Sequence, residues 1–214
     1  MSQFPNTGTG DIVLAMAQKI IDNRAYLSEI DGKIGDGDHG VNMAKGFGMA
    51  AGRITPGETS LGDALDTLGT VLMTEIGGSM GPLYGIMFTE WSESISGLEF
   101  IDAEAFGKML TAGLKGVESI GSAKVGDKTL LDTLVPALTA FNDADEAGKP
   151  FAEALAEMVS AAERGRDSTL DMAAKVGRSS RLGERSRGVL DAGATSCAIV
   201  LKSLGHGVRE ILLD

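Results

Sequence analysis

Cysteine is nearly missing from this chain: Cys197 is the sole one among 214 residues, so an internal disulfide and a thiolate zinc site are both excluded. Histidine is almost as scarce, with only two (His39 and His206). That is too few for a histidine-rich metal centre and leaves oxygen as the ligand chemistry for any ion. No Pro- or Ser-rich linker interrupts the chain, which predicts one domain over residues 1–214. Long apolar runs are missing too; none approaches the roughly 18 residues of a membrane span. Residues 1–11 lack the basic and apolar regions of a signal peptide, so no membrane partner is expected and the cytoplasm is the expected location. Finally, positive charge is in short supply. A net charge of −11 argues against a nucleic-acid partner, because polyanion binding draws on clustered Lys and Arg.

What is present is concentrated in Asp31-Gly32-Lys33-Ile34-Gly35-Asp36-Gly37-Asp38-His39-Gly40-Val41-Asn42, which packs three carboxylates, an imidazole, an amide and four glycines into twelve residues. A hard divalent ion such as Mg2+ takes oxygen ligands, commonly one or two carboxylates with substrate phosphates and water. Asp31, Asp36 and Asp38 can supply them, and the glycines permit the turns that bring the side chains together. His39 and Asn42 follow where a helix can begin, within reach of a phosphate. The bland alternative is a solvated acidic turn.

Three better-known motifs are excluded. Gly35-x-Gly37-x-x-Gly40 is a literal GxGxxG, but a helical pattern precedes it instead of a strand, and two aspartates inside the turn would repel a bare pyrophosphate. An EF-hand loop needs alternate oxygens and a glutamate at its twelfth position, where Asn42 stands here. Gly121 to Thr129 departs from a P-loop by one inserted residue, and Asp127 is negative where phosphate would sit.

Helical periodicity runs through the rest. Residues 11–30 predict a first helix, 41–53 a second, and 61–76 a third opened by a capping pattern at Ser60 and Asp63. Residues 83–95, 102–120 (capped by Asp102), 129–142, a long segment from Pro150, and 194–213 complete eight. Asp143 to Gly148 reads as a polar turn. Tyr84, Phe88 and Trp91 read as packing residues, and His206 as a structural or surface one. No strand is evident, so the expected architecture is all-α: an eight-helix antiparallel up-and-down barrel or bundle. Glycine-rich or basic connections at 31–40, 77–81, 121–128 and 175–193 follow the first, third, fifth and seventh helices, which puts them all at one end. Gly77 to Pro82 can bring helix-start amides close to an anion, or can be an ordinary turn. Lys175, Arg178, Arg181, Arg185 and Arg187 suit a small anionic ligand, or form an exposed ion-paired loop.

Taken together, Gly35 to Gly40 with Asn42, Gly77-Gly78-x-x-Gly81-Pro82-Leu83-Tyr84-Gly85, Gly126-Asp127-Lys128-Thr129, and Gly177 to Ser186 with Asp191-x-Gly193-Ala194 resemble, in order and over nearly the whole chain, the nucleotide-binding L subunit of dihydroxyacetone kinases. The resemblance implies an eight-helix barrel with the nucleotide site at one rim. It implies two Mg2+ ions on Asp31, Asp36 and Asp38. Contacts to the phosphates of ADP or ATP would come from His39, Gly40, Val41, Asn42, Ser79, Met80, Gly81, Thr129 and Arg178. Leu83, Gly121, Leu130, Asp191, Ala192 and Gly193 would frame the adenosine. No catalytic residue is expected in this chain, since the family places ketose binding and acid-base groups on a separate K subunit. Phosphate would come from phosphoenolpyruvate through a phosphotransferase M subunit, or from ATP, and a homodimer stays open. The chain departs from the family at Met80, where a serine is usual; a thioether cannot donate to phosphate, which leaves the phosphate source and the ketose open. A rival reading is a nucleotide-sensing regulatory protein of the same fold.

Overall fold

The computed structural model describes residues 2–213. Nine α-helices are present among them: α1 (Asp11–Asp22), α2 (Arg24–Ile34), α3 (His39–Ala51), α4 (Leu61–Glu75), α5 (Met80–Ser94), α6 (Ala103–Ile120), α7 (Leu131–Glu146), α8 (Phe151–Ser168) and α9 (Ala192–Glu210). Short 3-10 segments at Thr169–Asp171 and Arg178–Ser186 join α8 to α9. Each helix buries one apolar stripe. In α4 it is Leu61, Leu65, Leu68 and Leu72, and in α8 it is Phe151, Leu155, Met158 and Val159.

Neighbours in sequence pack as neighbours in space from α3 through to α9. The ring then closes, because α9 returns to α1 and α2 touches both α3 and α9. One connected apolar cluster fills it. Within it Phe88 meets Trp91 edge-on at 5.2 Å and Phe47 at 5.8 Å, so Phe88 and Trp91 of α5 are packing residues as their spacing suggested.

The connections sort to two ends. At one, Leu61 N–H donates to the Asn6 carbonyl (2.9 Å), Gly10 N–H to Thr59 (2.9 Å), Asn6 Nδ2 to the Leu98 carbonyl (3.0 Å), and Phe4 packs on Phe151. The chain start, α3–α4, α5–α6 and α7–α8 therefore share that end. The four glycine-bearing connections share the other. Two helix starts are capped as their sequences announce: Ser60 Oγ accepts from Asp63 N–H (3.0 Å) and Asp102 from Ala105 N–H (2.8 Å), a contact type that stabilises by about 1 kcal/mol.

Four local expectations change. The helix over 11–30 is broken at Asn23, whose Nδ2 bonds back to the Lys19 carbonyl (2.8 Å) and closes α1. The second piece, α2, runs past Asp31 to Ile34 because Leu27, Ile30 and Ile34 continue a buried stripe. Residues 143–146 are helical rather than a turn, since Ala144 is buried while Asp143, Asp145 and Glu146 lie on wetter faces of α7. A small sheet exists where none was expected: β1 (Gln3–Pro5) pairs antiparallel with β2 (Phe100–Asp102). Three residues are too short for alternation to show, and Phe4 and Ile101 bury completely at its centre.

Candidate functional site

The four connections at the second end enclose a cavity of about 550 Å³. Asp31 hangs from the last turn of α2, Asp36 and Asp38 from the following loop, and one carboxylate oxygen of each lies within 4.8 Å of the others. Three like charges this close repel strongly in anything but bulk water. Two protein groups offset part of that: the Arg178 guanidinium pairs with Asp36, and the His39 backbone N–H donates to Asp31 Oδ2 (3.3 Å). The trio is open to the cavity and built of oxygen only, which fits Mg2+ rather than a softer metal.

His39 opens α3. Its Nε2 lies 2.9 Å from Ser196 Oγ, which lies 2.7 Å from the Tyr84 hydroxyl, which donates to the Gly193 carbonyl (3.0 Å). Burial pulls the His39 imidazole down to about 4 against the raising effect of Asp31, so the ring is neutral near pH 7. Burial likewise pushes the Tyr84 phenol well above its ordinary value. Asn42 follows one turn along α3 and also lines the cavity.

The start of α5 forms the next wall. Gly78, Ser79, Met80, Pro82 and Leu83 all line it. Ser79 sits at the cap position but its side chain caps nothing in its own helix, so the hydroxyl is available to a ligand. Met80 is buried, its side chain part of the core cluster.

The third wall, Gly121 to Leu131, is shaped by one side chain. Buried Asp132 accepts from Gly126 N–H (2.5 Å) and Thr129 N–H (2.7 Å), curling the loop so that Thr129, Leu130 and Leu131 face inward. Between them Lys128 takes a left-handed backbone conformation, φ +66°. Its buried ammonium donates to the carbonyls of Met172, Ser186 and Val189 at 3.0, 2.6 and 2.7 Å. These flank the basic segment at its two ends, so Lys128 ties 172–189 down as a loop whose near side carries Arg178. Burial lowers the Lys128 ammonium, an effect opposed by Asp191.

The fourth wall is the start of α9. Asp191 caps it by accepting from Ala194 N–H (2.7 Å); burial raises its carboxyl to about 7, with the cap bond and Lys128 acting in the other direction.

Of the residues expected at the site, the structure brings together Asp31, Asp36, Asp38, His39, Asn42, Ser79, Met80, Leu83, Gly121, Thr129, Leu130, Arg178, Asp191, Ala192 and Gly193. Three others are not part of the cavity wall. Gly40 is pressed against the Arg24 carbonyl and Ser28 of α2, and Gly81 against the carbonyls of Leu72 in α4 and of Ile76 just after it, where any Cβ would collide; both let helices approach closely. The Val41 side chain is exposed away from the cavity. Reasoning from sequence missed Lys128, Asp132, Ser196 and the hydroxyl of Tyr84. Only Asp132 had a local signal, lying three residues after Thr129 in a helix-start pattern.

The DAK2 domain model matches residues 33–206. The chain is 37% identical to the ADP-binding subunit DhaL of PEP-dependent dihydroxyacetone kinase 1 from Listeria innocua, over 87% of this chain and 89% of that protein. It is 35% identical to the ADP-binding subunit DhaL of the PEP-dependent dihydroxyacetone kinase of Escherichia coli, over 86% and 89%. In three dimensions it resembles the dihydroxyacetone kinase of C. freundii in complex with AMP-PNP and Mg2+, with a TM-score of 0.67 and 26% identity, covering 92% of this chain and 33% of that one. The chain therefore belongs to the DAK2 domain family.

Proposed function

We propose that this chain is the nucleotide-carrying L subunit of a kinase for dihydroxyacetone or a similarly small ketose, holding Mg-ADP or Mg-ATP in the rim cavity. The observation that carries the reading is the convergence of four separate connections on one cavity with a trio of carboxylates at its edge. In this reading Asp31, Asp36 and Asp38 hold two Mg2+ ions, which neutralise the phosphate charge that builds up during transfer. Asn42, the Ser79 hydroxyl, the helix-start amides beside it and Thr129 face the phosphates, and Arg178 leaves Asp36 to neutralise one of them. Leu83, Leu130, Gly121 and the Asp191 to Gly193 turn frame the adenosine. Phosphoryl transfer asks mainly for position and charge compensation, which this set supplies.

We assign ketose binding to a separate K subunit docking on this rim, with the chain inactive without it; the similar proteins are named as ADP-binding subunits of dihydroxyacetone kinases, which supports such a division between subunits. Similarity over most of both lengths to PEP-dependent subunits supports phosphoenolpyruvate, relayed by an M subunit, as the phosphate source, with ADP retained as a coenzyme. No helix among the described residues is long and apolar enough to cross a membrane, and we place the complex in the cytoplasm.

The test is reconstitution. The purified chain is combined with a K subunit and dihydroxyacetone, then given either ATP or phosphoenolpyruvate with the phosphocarrier proteins, and phosphorylated ketose is measured. Turnover with phosphoenolpyruvate, and none without K, is expected. Absence of turnover in both mixtures, with nucleotide still bound, would favour a sensor.

A further inference from the structure

The basic segment between α8 and α9 is fixed at its two ends and nearly free between them. Lys128 holds the carbonyls of Met172, Ser186 and Val189, Ala174 N–H donates to Ser186 Oγ (2.8 Å), and Gly188 N–H donates to the Leu170 carbonyl (2.8 Å). Between these anchors, residues 176–185 bond to one another and to Ser186 and Arg187. Among the described residues, their one polar contact with another part of the chain is the pair between Arg178 and Asp36. Gly177, just before Arg178, and Gly183 have left-handed backbones, φ +70° and +52°, with open space where a side chain would stand. This strap can therefore swing on its anchors once Arg178 lets go.

Asp36 is also one corner of the carboxylate trio, with an oxygen within 4.8 Å of oxygens from Asp31 and Asp38. A guanidinium and a divalent ion cannot share that carboxylate without strong repulsion. The contest between them is uneven. The Arg178 side chain is 63% exposed and that of Asp36 36%, and an exposed pair of this kind is worth little, whereas an ion of twice the charge draws on all three carboxylates at once.

We propose that Arg178 stands in for a cation on Asp36 and gives way when Mg2+ binds, so that the metal, before any nucleotide, releases the strap and leaves a free guanidinium at the cavity mouth. Metal binding and strap release are then one equilibrium, and by linkage each favours the other to the same degree. The freed Arg178 is available to a phosphate, which draws the strap back over the cavity. Metal and anion thus act in sequence, one opening the strap and the other closing it. The closing step rests on the Mg-nucleotide reading; the exchange between Arg178 and a divalent ion does not.

Proton–nitrogen NMR spectra of the full-length chain follow both parts: the Arg178 Nε–H signal, identified by its loss in Arg178→Gln, and the backbone amides of 176–185. With Mg2+ alone, solvent exchange of that Nε–H and of the strap amides is expected to speed up, the reverse of what a ligand that merely stiffens its site produces. Added ADP slows both again. Calorimetry with Mg2+ and no nucleotide is expected to give an affinity about two- to fivefold higher in Arg178→Gln, the worth of an exposed ion pair. Arg181→Gln removes the same charge from the same strap at an exposed residue away from the cavity wall, and leaves the affinity nearly level. An equal rise in both variants would make the effect one of bulk charge and overturn the exchange. Mg2+ that binds only together with ADP, or that binds without disturbing Arg178 and the strap, would also overturn it while keeping the nucleotide reading. If Mg2+ alone frees the strap and ADP does not bind, the exchange stands and the nucleotide reading falls.

Discussion

The two ends of the barrel use polar residues in opposite ways. At the end that gathers the chain start, Asn6 engages both sides of its amide: Nδ2 donates to Ile95 and Leu98, and Oδ1 accepts from Gly62 N–H. Ser60, Asp63, Asp102 and Asp11 are likewise matched to backbone groups or to each other. At the rim, three carboxylates crowd together with one guanidinium paired to Asp36, and the Ser79 side chain caps nothing. One end closes loops, while the other holds groups ready for something the chain itself does not supply. The rim is still not loose, since Lys128, Asp132 and Asp191 are buried or half-buried struts that hold its loops against the core.

That contrast predicts mutations whose effects separate cleanly. The largest effect belongs to Asp36→Asn. It removes a proposed ligand and like-charge repulsion together, so Mg-ADP affinity should fall at least a hundredfold by titration calorimetry, about 2.7 kcal/mol, with the ligand-free melting temperature unchanged or raised. Next is Lys128→Met, which leaves three carbonyls without their donor. A loss of about 2–3 kcal/mol in unfolding free energy is expected, together with faster proteolysis within 172–189 and weaker Mg-ADP binding. If stability falls while the 172–189 segment stays protected and affinity is unmoved, Lys128 does not organise the rim. Asn6→Ala, at the opposite end, should cost about 1–2 kcal/mol and leave Mg-ADP affinity alone; a change in affinity would mean the two ends are coupled. The smallest is Ser60→Ala, about 1 kcal/mol from a lost cap, read by chemical denaturation.

Much of this was legible in the residues. Apolar spacing located the helices, and the parity of the glycine-bearing connections placed them at one end, because short links between consecutive helices force alternation. The acidic trio was legible because three carboxylates and four glycines share twelve residues. What could not be read was long-range. Nothing around Ser196 announces that it lies under His39, 157 positions away, or that Lys128 reaches carbonyls 44 to 61 residues on. The Asn23 break escaped notice because the apolar stripe continues across it. Gly40 and Gly81 also sit where helices touch, a packing demand that their motifs did not announce.

The central claim is that the carboxylate trio and the cavity beside it form a magnesium-dependent nucleotide site, and calorimetric titration of the wild-type chain with ADP tests it most directly, once with Mg2+ and once with a chelator. Tight binding with Mg2+, at least a hundredfold weaker with the chelator, is the predicted result. Equal affinity in both conditions, or heat in neither, would contradict it.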